Sequence, residues 1–337
     1  MTMTKFNNHI VLCFNSAWIM QASVLITSIL HFNDEDFTFH IIGNDLSDSN
    51  IQTIQKYAKS CPVIYHSLAK YDTSKLVIRP GDRISLDTYS RFFIPELLDK
   101  DIKKCLYLDS DIICTGKIKN LFDTDLTNYA LGMVYDVNYS DIRNFNRLEY
   151  DKKYGYFNAG VGLFNLDYWR KKQLTTKLFD FVKDYPERCW CHDQDAINYI
   201  CHSKILALPV SYNIQKHFWW IFYWKNQKNY TKNIPAWDFI AKDKFAEIEE
   251  GCKKPVLVHF TCSQKPWLLD TFVPFTKVWR YFLSKTEFKI GLQVKIRIKI
   301  ILKKILRKPF DDKYPEESYK VEEKILSTIL QSEKRDN

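Results

Sequence analysis

Glycine is scarce in this chain, with nine residues among 337, and the glycines form no recognisable phosphate cradle. The sequence contains neither the G-x-G-x-x-G pattern of dinucleotide-binding folds nor the G-x-x-x-x-G-K-S/T pattern of P-loop proteins. Such loops hold phosphate groups through their backbone N–H groups, so a protein without them must bind phosphate in another way. The sequence therefore excludes two common classes of nucleotide-binding site.

Long apolar runs and a regular set of paired cysteines are also missing. The segment "AWIMQASVLITSIL" (17–30) is too short for a membrane span and is interrupted by Gln21, Ser23, Thr27 and Ser28, so it predicts a buried helix. Nine cysteines, an odd number in a long chain, argue against a disulfide scaffold and favour the reducing cytosol. The opening "MTMTKFNNHIVLCF" lacks the apolar core and cleavage site of a secretory signal.

Acidic residues are almost absent from one stretch, which carries most of the net charge of +9. Residues 285–308 contain nine lysines or arginines and one glutamate. On a helical wheel most apolar side chains of residues 289–308 fill one arc, which predicts an amphipathic helix on an anionic membrane surface. Residues 294–300 alternate with period 2, but a strand there would leave a long exposed edge. Aromatic residues for base stacking are almost lacking, so we expect no nucleic-acid partner.

The first two thirds of the chain alternate between short β-prone runs and longer helical patterns, which is typical of an α/β fold. The predicted strands lie at 9–14, 37–42, 62–66, 104–108, 129–135 and 160–166. Further predicted helices lie at 49–60, 87–98 and 167–185. In open α/β sheets, ligands bind beyond the carboxyl ends of the strands, so polar residues at those ends are candidate site residues.

The stretch "YLDSDIIC" (107–114) places Asp109 and Asp111 at the end of an apolar run. In a strand, residues i and i+2 project from the same face, where two carboxylates repel each other unless a cation lies between them. Asn15 follows the first strand, and His259 lies near the end of the strand-like run "PVLVHF". If these ends converge, they form a metal site: carboxylates suit Mg²⁺ or Mn²⁺, and a histidine favours Mn²⁺.

Four blocks of this sequence resemble family 8 glycosyltransferases in their order and approximate spacing. They are "LYLDSDIICTGKIKNLFDTDL", "YFNAGVGLFNLDYWR", "HDQDAINYI" and "HFTCSQKPW". The resemblance covers roughly residues 9 to 285 and is strongest to the bacterial branch that adds glucose or galactose to the lipopolysaccharide core. It implies a retaining, metal-dependent enzyme that moves glucose or galactose from UDP-glucose or UDP-galactose onto a lipopolysaccharide core or another lipid-linked saccharide.

The resemblance also implies the fold and its division. We expect a GT-A nucleotide-diphospho-sugar transferase fold, with a mixed central sheet flanked by helices, over residues 1–275. A C-terminal helical extension over 276–337 would contain the basic membrane-binding segment at about 288–308, and the acidic tail after it predicts another helix that folds back on the basic one. We expect the protein in the cytoplasm, peripherally associated with the inner face of the cell membrane.

Site residues follow from the same resemblance. The metal ligands would be Asp109, Asp111 and His259, binding Mn²⁺ or Mg²⁺, and Lys265 would reach the diphosphate as a point charge. The substrate-binding set would be Asn15, Trp18, Arg91, Asp109, Ser110, Asp111, Asp136, Asn158, Ala159, Asp193, Gln194 and Lys265, of which Gln194 and Asp193 would be catalytic. An amide is a poor nucleophile, so we favour front-face transfer, with a covalent intermediate as the alternative.

The first strand departs from the family pattern, which commonly has an acidic residue where Asn15 stands and an asparagine where Ala17 stands. Asn15 can still accept a hydrogen bond from a uracil N–H. These substitutions also suggest an alternative: a catalytically inactive, membrane-bound scaffold. A second alternative is a haloacid-dehalogenase-like phosphatase that uses the D-x-D motif. That motif normally continues into a small pair such as Gly-Thr, whereas here Ile112 and Ile113 follow.

Overall fold

The computed structural model describes residues 8–34, 36–71, 86–220, 244–268, 273–289 and 315–335. Ten strands lie in these ranges. They are β1 (Asn8–Cys13), β2 (Phe37–Gly43), β3 (Val63–Ser67), β4 (Lys104–Leu108), β5 (Ile112–Cys114), β6 (Leu131–Tyr135), β7 (Phe157–Asn165), β8 (Ile205–Ala207), β9 (Ile214–Gln215) and β10 (Leu257–His259). Strands β2, β4 and β6 are buried along almost their whole length, as expected for strands covered on both faces.

Seven strands form a mixed central sheet in the order β3-β2-β1-β4-β7-β6-β8. Strands β1 to β4 pair in parallel, whereas β7 runs antiparallel to both of its neighbours, β4 and β6. Strand β8 adds in parallel to β6 at the edge. The carboxyl ends of β1, β2 and β4 therefore lie at the same edge of the sheet as the start of β7.

A second, three-stranded sheet has the order β5-β10-β9. Strand β5 begins directly after Asp111 and pairs antiparallel with β10, with Ile112 opposite His259. The backbone N–H of Phe260 also donates to the carbonyl of Asp111, at 3.0 Å. This pairing brings His259 beside Asp111 although almost 150 residues separate them in the chain.

Helices cover both faces of the central sheet. They are α1 (Ile19–Phe32), α2 (Asp48–Ala58), α3 (Ile94–Leu97), α4 (Lys119–Phe122), α5 (Ile142–Leu148), α6 (Leu166–Lys172), α7 (Leu174–Asp184), α8 (Asp193–Cys201), α9 (Phe245–Lys253), α10 (Thr276–Ser284) and α11 (Glu316–Arg335). Among the residues that the structure describes, no helix is both long and apolar enough to cross a bilayer.

The buried helix expected at 17–30 is confirmed as α1. Its hydroxyl groups do not prevent burial because they bond to the helix's own backbone: Ser23 donates to the Ile19 carbonyl at 2.8 Å and Ser28 to the Leu25 carbonyl at 2.7 Å. The hydroxyl oxygen of Ser28 also accepts from the N–H of Cys114, at 3.0 Å. Helix α1 is thereby tied to β5, the strand that follows the two aspartates.

Two predicted helices differ from the structure. The segment 87–98 is mostly a 3-10 helix (Leu86–Phe93), with a single α-helical turn at α3. The segment 167–185 is divided into α6 and α7 at Gln173, which adopts a left-handed conformation with φ of 51°. The short strands β5, β8 and β9 were not expected, because two or three residues are too few to show a period.

The C-terminal tail forms the expected helix, α11, which packs on α10. The buried side chain of Glu322 accepts from the backbone N–H of Lys277 at 2.5 Å, and Lys285 pairs with Glu333 at 2.8 Å. The basic amphipathic segment lies outside the described residues except for 288 and 289. Its helical form, the packing of the tail on it and the domain boundary after residue 275 therefore stay predictions.

Candidate functional site

Asp109, Asp111 and His259 form a cluster at the junction of the two sheets. One ligand atom from each lies within 4.8 Å of the other two. His259 Nε2 lies 3.1 Å from Asp111 Oδ1 and 3.6 Å from Asp109 Oδ2. The two aspartates lie in the turn between β4 and β5 rather than on one strand, yet they converge because β5 folds back along β10. The arrangement is a three-ligand candidate metal centre.

Gly160 on β7 makes room for the imidazole in this cluster. A Cβ atom at this position would lie 2.1 Å from His259 Cε1 and 2.9 Å from Asp109 Oδ2, closer than real contacts allow. The carbonyl of Gly160 accepts from the N–H of Asp109 at 2.8 Å, which also fixes the start of the turn. Only glycine permits this close approach.

Asn213 fixes which nitrogen of His259 faces the two carboxylates. The Nδ2 group of Asn213 donates to Asn158 Oδ1 (2.9 Å), so its Oδ1 atom faces His259 Nδ1 (3.1 Å) as an acceptor. His259 Nδ1 then carries the proton, and Nε2 faces Asp109 and Asp111. A neutral imidazole there presents a lone pair to two carboxylates, a repulsive arrangement that a shared cation relieves. The donor set therefore fits a divalent ion such as Mn²⁺ or Mg²⁺.

Lys265 adds a positive charge on the other side of Asp111. Its ammonium group bonds to Asp111 Oδ2 and donates to the carbonyl of Phe260 at 2.5 Å. Burial alone would raise the pKa of Asp111, but the charge of Lys265, the largest of the opposing influences, helps to hold this pKa well below its usual value. Asp111 is therefore a carboxylate, as a metal ligand must be.

Arg91 connects the aspartate turn to the start of helix α8. Its buried guanidinium donates to Asp109 Oδ1 at 2.9 Å and to the carbonyl of Ala159 at 2.6 Å, and its Nε lies 2.9 Å from Asp193 Oδ2. The group also lies over the ring of Tyr107, 4.4 Å from its centroid. Burial raises the pKa of Asp193 to about 7, although Arg91 opposes this shift.

Gln194 is held in a single orientation by four hydrogen bonds. Its Oε1 atom accepts from the N–H of Ala159 (3.0 Å) and from Asn158 Nδ2 (3.2 Å). Its Nε2 group donates to Asp136 Oδ2 (3.2 Å) and to the Tyr156 hydroxyl (3.1 Å). Burial raises the pKa of Asp136, against the hydrogen bonds from the two amides. This amide cluster adjoins the metal cluster, because Asn158 also accepts from Asn213.

Residues 9–271 match the family model described as glycosyl transferase family 8. The chain belongs to glycosyltransferase family 8. Lipopolysaccharide 1,2-glucosyltransferase of Escherichia coli is 30% identical over 267 residues, which cover 75% of this chain and 73% of that protein. General stress protein A of Bacillus subtilis is 24% identical over 286 residues, or 83% of this chain and 94% of that protein. The match to another curated relative covers only 34% of the length of that protein.

The crystal structure of the galactosyltransferase LgtC in complex with donor and acceptor sugar analogs superposes with a TM-score of 0.66 at 20% identity. The match covers 83% of this chain and 96% of that one. The expected GT-A fold is thereby confirmed for this family 8 glycosyltransferase. The family match also favours the transferase over the haloacid-dehalogenase-like phosphatase.

The structure of this family 8 protein brings most of the expected site residues together. Arg91, Asp109, Asp111, Asp136, Asn158, Ala159, Asp193, Gln194, His259 and Lys265 form one connected set of contacts. Ser110 is buried in the same turn, and its hydroxyl has no hydrogen-bond partner within the described part of the chain. An orphaned buried hydroxyl at this place is consistent with contact to a ligand.

Asn15 and Trp18 lie beside this set rather than in it. Asn15 Oδ1 accepts from the N–H of Ala17 at 3.2 Å and so caps the 3-10 helix Ser16–Trp18. Trp18 is half-buried and meets Trp267 edge-on, with ring centroids 5.7 Å apart. Trp267 belongs to the same "HFTCSQKPW" block as Lys265, whose ammonium group lies 5.9 Å from the Trp267 ring centroid, so Trp18 lies on the Lys265 side of the site.

The sequence did not reveal four residues that support the site: Gly160, Asn213, Tyr156 and Asp195. Gly160 carried a usable signal, because a glycine inside a predicted strand often marks a close approach. Asn213 belongs to none of the four blocks, and Tyr156 opens the second block without a recognised role; only the fold places them against His259 and Gln194. Asp195 follows Gln194 in the third block but is fully buried, and it is linked to Gln194 through the Tyr156 hydroxyl.

Proposed function

We propose that this glycosyltransferase moves glucose or galactose from a UDP-sugar onto a lipopolysaccharide core or another lipid-linked saccharide, with retention of the α configuration and with a divalent ion. The observation that carries the proposal is the junction of an Asp-Asp-His cluster with a buried amide cluster around Gln194. The first suits a diphosphate and its metal, and the second suits the hydroxyl groups of a sugar.

Asp109, Asp111 and His259 would hold Mn²⁺ or Mg²⁺. The ion would neutralise the charge that develops on the departing diphosphate. Lys265 lies against Asp111 and would supply a second, fixed positive charge on the diphosphate side. Arg91 holds Asp109 and Asp193 at fixed positions, so both carboxyl groups are oriented before the donor binds.

Gln194 and Asp193 would act on the reacting sugar. We assign front-face transfer, in which the leaving phosphate takes the acceptor proton and the carbonyl oxygen of Gln194 stabilises positive charge on the sugar ring. Asp136 and Asn158 would hydrogen-bond the sugar hydroxyls, and the backbone of Ala159 completes that wall. The carboxyl groups of Asp193 and Asp136 are both buried. The first is engaged by Arg91 and the second by two amide groups, which supports a binding role over attack on the sugar.

Asn15, Trp18 and Ser110 would contact the nucleoside part of the donor. Trp18 offers an aromatic face for the base, and the unpartnered hydroxyl of Ser110 offers a hydrogen bond to the ribose or phosphate. The amide oxygen of Asn15, which can accept two hydrogen bonds, would accept from a uracil N–H. These contacts support UDP as the carrier.

The acceptor and the location of the enzyme form one proposal. A relative named for lipopolysaccharide 1,2-glucosyl transfer supports a saccharide acceptor on a lipid. The basic stretch at 285–308 supports peripheral binding to the anionic inner face of the cell membrane. Co-sedimentation of the full chain with vesicles tests this part. We expect the protein to sediment with anionic vesicles and not with zwitterionic vesicles. Sedimentation with neither kind, or equally with both, would refute the proposal.

UDP release from the purified protein tests the proposed reaction. UDP-glucose and UDP-galactose would each be supplied with Mn²⁺ or with EDTA, alongside an Asp111→Ala variant and a simple phosphomonoester. Release that needs the metal and that the variant lacks, without phosphate release from the phosphomonoester, is the expected result and names the donor. Release of phosphate from the phosphomonoester, with neither UDP-sugar consumed, would overturn the proposal.

A further inference from the structure

A buried relay of side chains ends at the NH₂ group of Gln194. Asp195, fully buried, accepts from the Tyr156 hydroxyl at 2.7 Å, and that hydroxyl accepts from Gln194 Nε2 at 3.1 Å. Arg147 forms two hydrogen bonds to the carboxylate of Asp195, at 2.8 and 2.9 Å, and the N–H of Cys191 adds another at 2.5 Å. The relay connects helices α5 and α8 to the start of β7.

The polarity of this relay is set by Asp195. A carboxylate can only accept, so the hydrogen of the Tyr156 hydroxyl points toward Asp195 and its oxygen lone pair is left for Gln194. Burial, together with the charge of Asp195, raises the pKa of Tyr156 well above its usual value, so the hydroxyl keeps its proton. The Tyr156 hydroxyl thereby accepts from the NH₂ end of Gln194, as Asp136 Oδ2 also does, and the N–H of Ala159 holds the carbonyl end.

We propose that Asp195 is a positioning residue that acts through the hydroxyl of Tyr156 and, together with Asp136 and the N–H of Ala159, fixes the amide orientation of Gln194. This inference rests on the proposed role of Gln194 at the reacting sugar. Asp195 itself has no solvent-exposed surface and is separated from the site by Tyr156, so it acts through Gln194 and not on the substrate.

Asp195→Asn reverses the relay while changing few atoms. One oxygen position of Asp195 faces two obligate donors, Arg147 and the N–H of Cys191; the other faces Arg147 and the adaptable Tyr156 hydroxyl. The new NH₂ group would therefore take the position near Tyr156 and donate to it. The tyrosine hydrogen would then point at the NH₂ end of Gln194, and the two donors would repel each other.

The test is a double-mutant cycle on UDP-sugar turnover, measured as kcat and donor KM. We expect D195N to lower kcat about 100-fold and Y156F about tenfold, each with donor KM within about twofold of the wild type. Because the effect of D195N passes through the hydroxyl, the double variant D195N/Y156F should match Y156F alone. Additive losses, or a D195N kcat equal to that of the wild type, would overturn the proposal.

Asp141→Asn is the matched control. Asp141 is also buried and ion-paired, to Arg143 at 2.8 Å, and it caps the same helix that carries Arg147, but it has no contact with the Gln194 relay. The kcat of the Asp141→Asn variant should stay within about twofold of the wild-type value. A loss of kcat equal to that of D195N would show a nonspecific effect and would overturn the proposal.

D195N leaves the guanidinium of Arg147 without its carboxylate, so thermal unfolding of each variant is measured first. If D195N does not fold, Y156F decides: a lower kcat with unchanged KM supports the relay, and an unchanged kcat overturns it. A wild-type protein that does not consume a UDP-sugar refutes the proposed function itself. An active wild type with an additive cycle refutes only this inference.

Discussion

Gly160→Ala is the substitution that most directly probes how the metal cluster is built. The added methyl group would lie 2.1 Å from Cε1 and 2.7 Å from Nδ1 of His259, and 2.9 Å from Asp109 Oδ2. Real Cβ atoms essentially never approach other atoms closer than 3.0 Å, so the imidazole must retreat by about 0.9 Å. Asn213, which is fully buried, bonds to Nδ1 of the same ring and hinders a compensating rotation.

The expected loss follows from the tolerance of metal coordination. Ligand distances vary by only about 0.2 Å in stable sites, so a displacement of about 0.9 Å would remove His259 from the coordination sphere of the proposed ion. Misplacing a ligand in this way weakens metal binding by about 10- to 100-fold, and overpacking costs about 1 to 3 kcal/mol of unfolding free energy. The variant should remain folded but need far more Mn²⁺.

The assay is the Mn²⁺ concentration that gives half of the maximal rate of UDP release. The control is Gly162→Ala on the same strand, where the new methyl group would meet the ring of Phe164 at 2.7 Å and not the metal ligands. We expect Gly162→Ala to lose stability with an unchanged Mn²⁺ requirement. A Gly160→Ala variant with the Mn²⁺ requirement of the wild type would refute the assignment of His259 as a ligand.

Two further predictions concern buried ionisable side chains, Arg91 and His40. Arg91→Lys keeps the positive charge, but one ammonium group cannot reach both Asp109 and Asp193. The kcat/KM for the UDP-sugar should therefore fall about 10- to 100-fold in the UDP-release assay. An unchanged value would contradict this role of Arg91. Burial, with the neighbouring histidines, lowers the pKa of His40 from 6.5 to about 3, so the unfolded chain binds the additional proton between these values and stability falls as the pH drops below 6.5. Urea unfolding measures the free energy of unfolding at pH 7.5 and at pH 5.5. Between these pH values it should fall about 1.4 kcal/mol less for His40→Gln than for the wild type. Equal falls would contradict the assignment.

The metal cluster could be predicted because its signals are local. Asp109 and Asp111 stand one residue apart after an apolar run, and His259 stands in a recognisable block. The predicted reason was only partly right: the aspartates lie in a turn between two sheets, not on one strand face. The outcome is the same because strand β5, too short to predict, turns back along β10 and carries Asp111 to His259.

The support around the site could not be predicted, because it depends on contacts between distant segments. Asn213 meets His259 across 46 residues, and Tyr156 meets Asp195 across 39. Neither asparagine nor tyrosine has a residue pattern that announces such a contact. The break between α6 and α7 is hidden for a related reason: Gln173 adopts the left-handed conformation without being a glycine or asparagine, so tertiary packing decides it.

Calorimetric titration of UDP into the wild-type protein and into Asp111→Ala, with Mn²⁺ and with EDTA, tests most directly whether the Asp-Asp-His cluster is a metal centre that binds the donor. We predict heat of binding for the wild type with Mn²⁺, and none with EDTA or for the variant. Equal binding of UDP in EDTA, or binding by Asp111→Ala with wild-type affinity, would contradict the account.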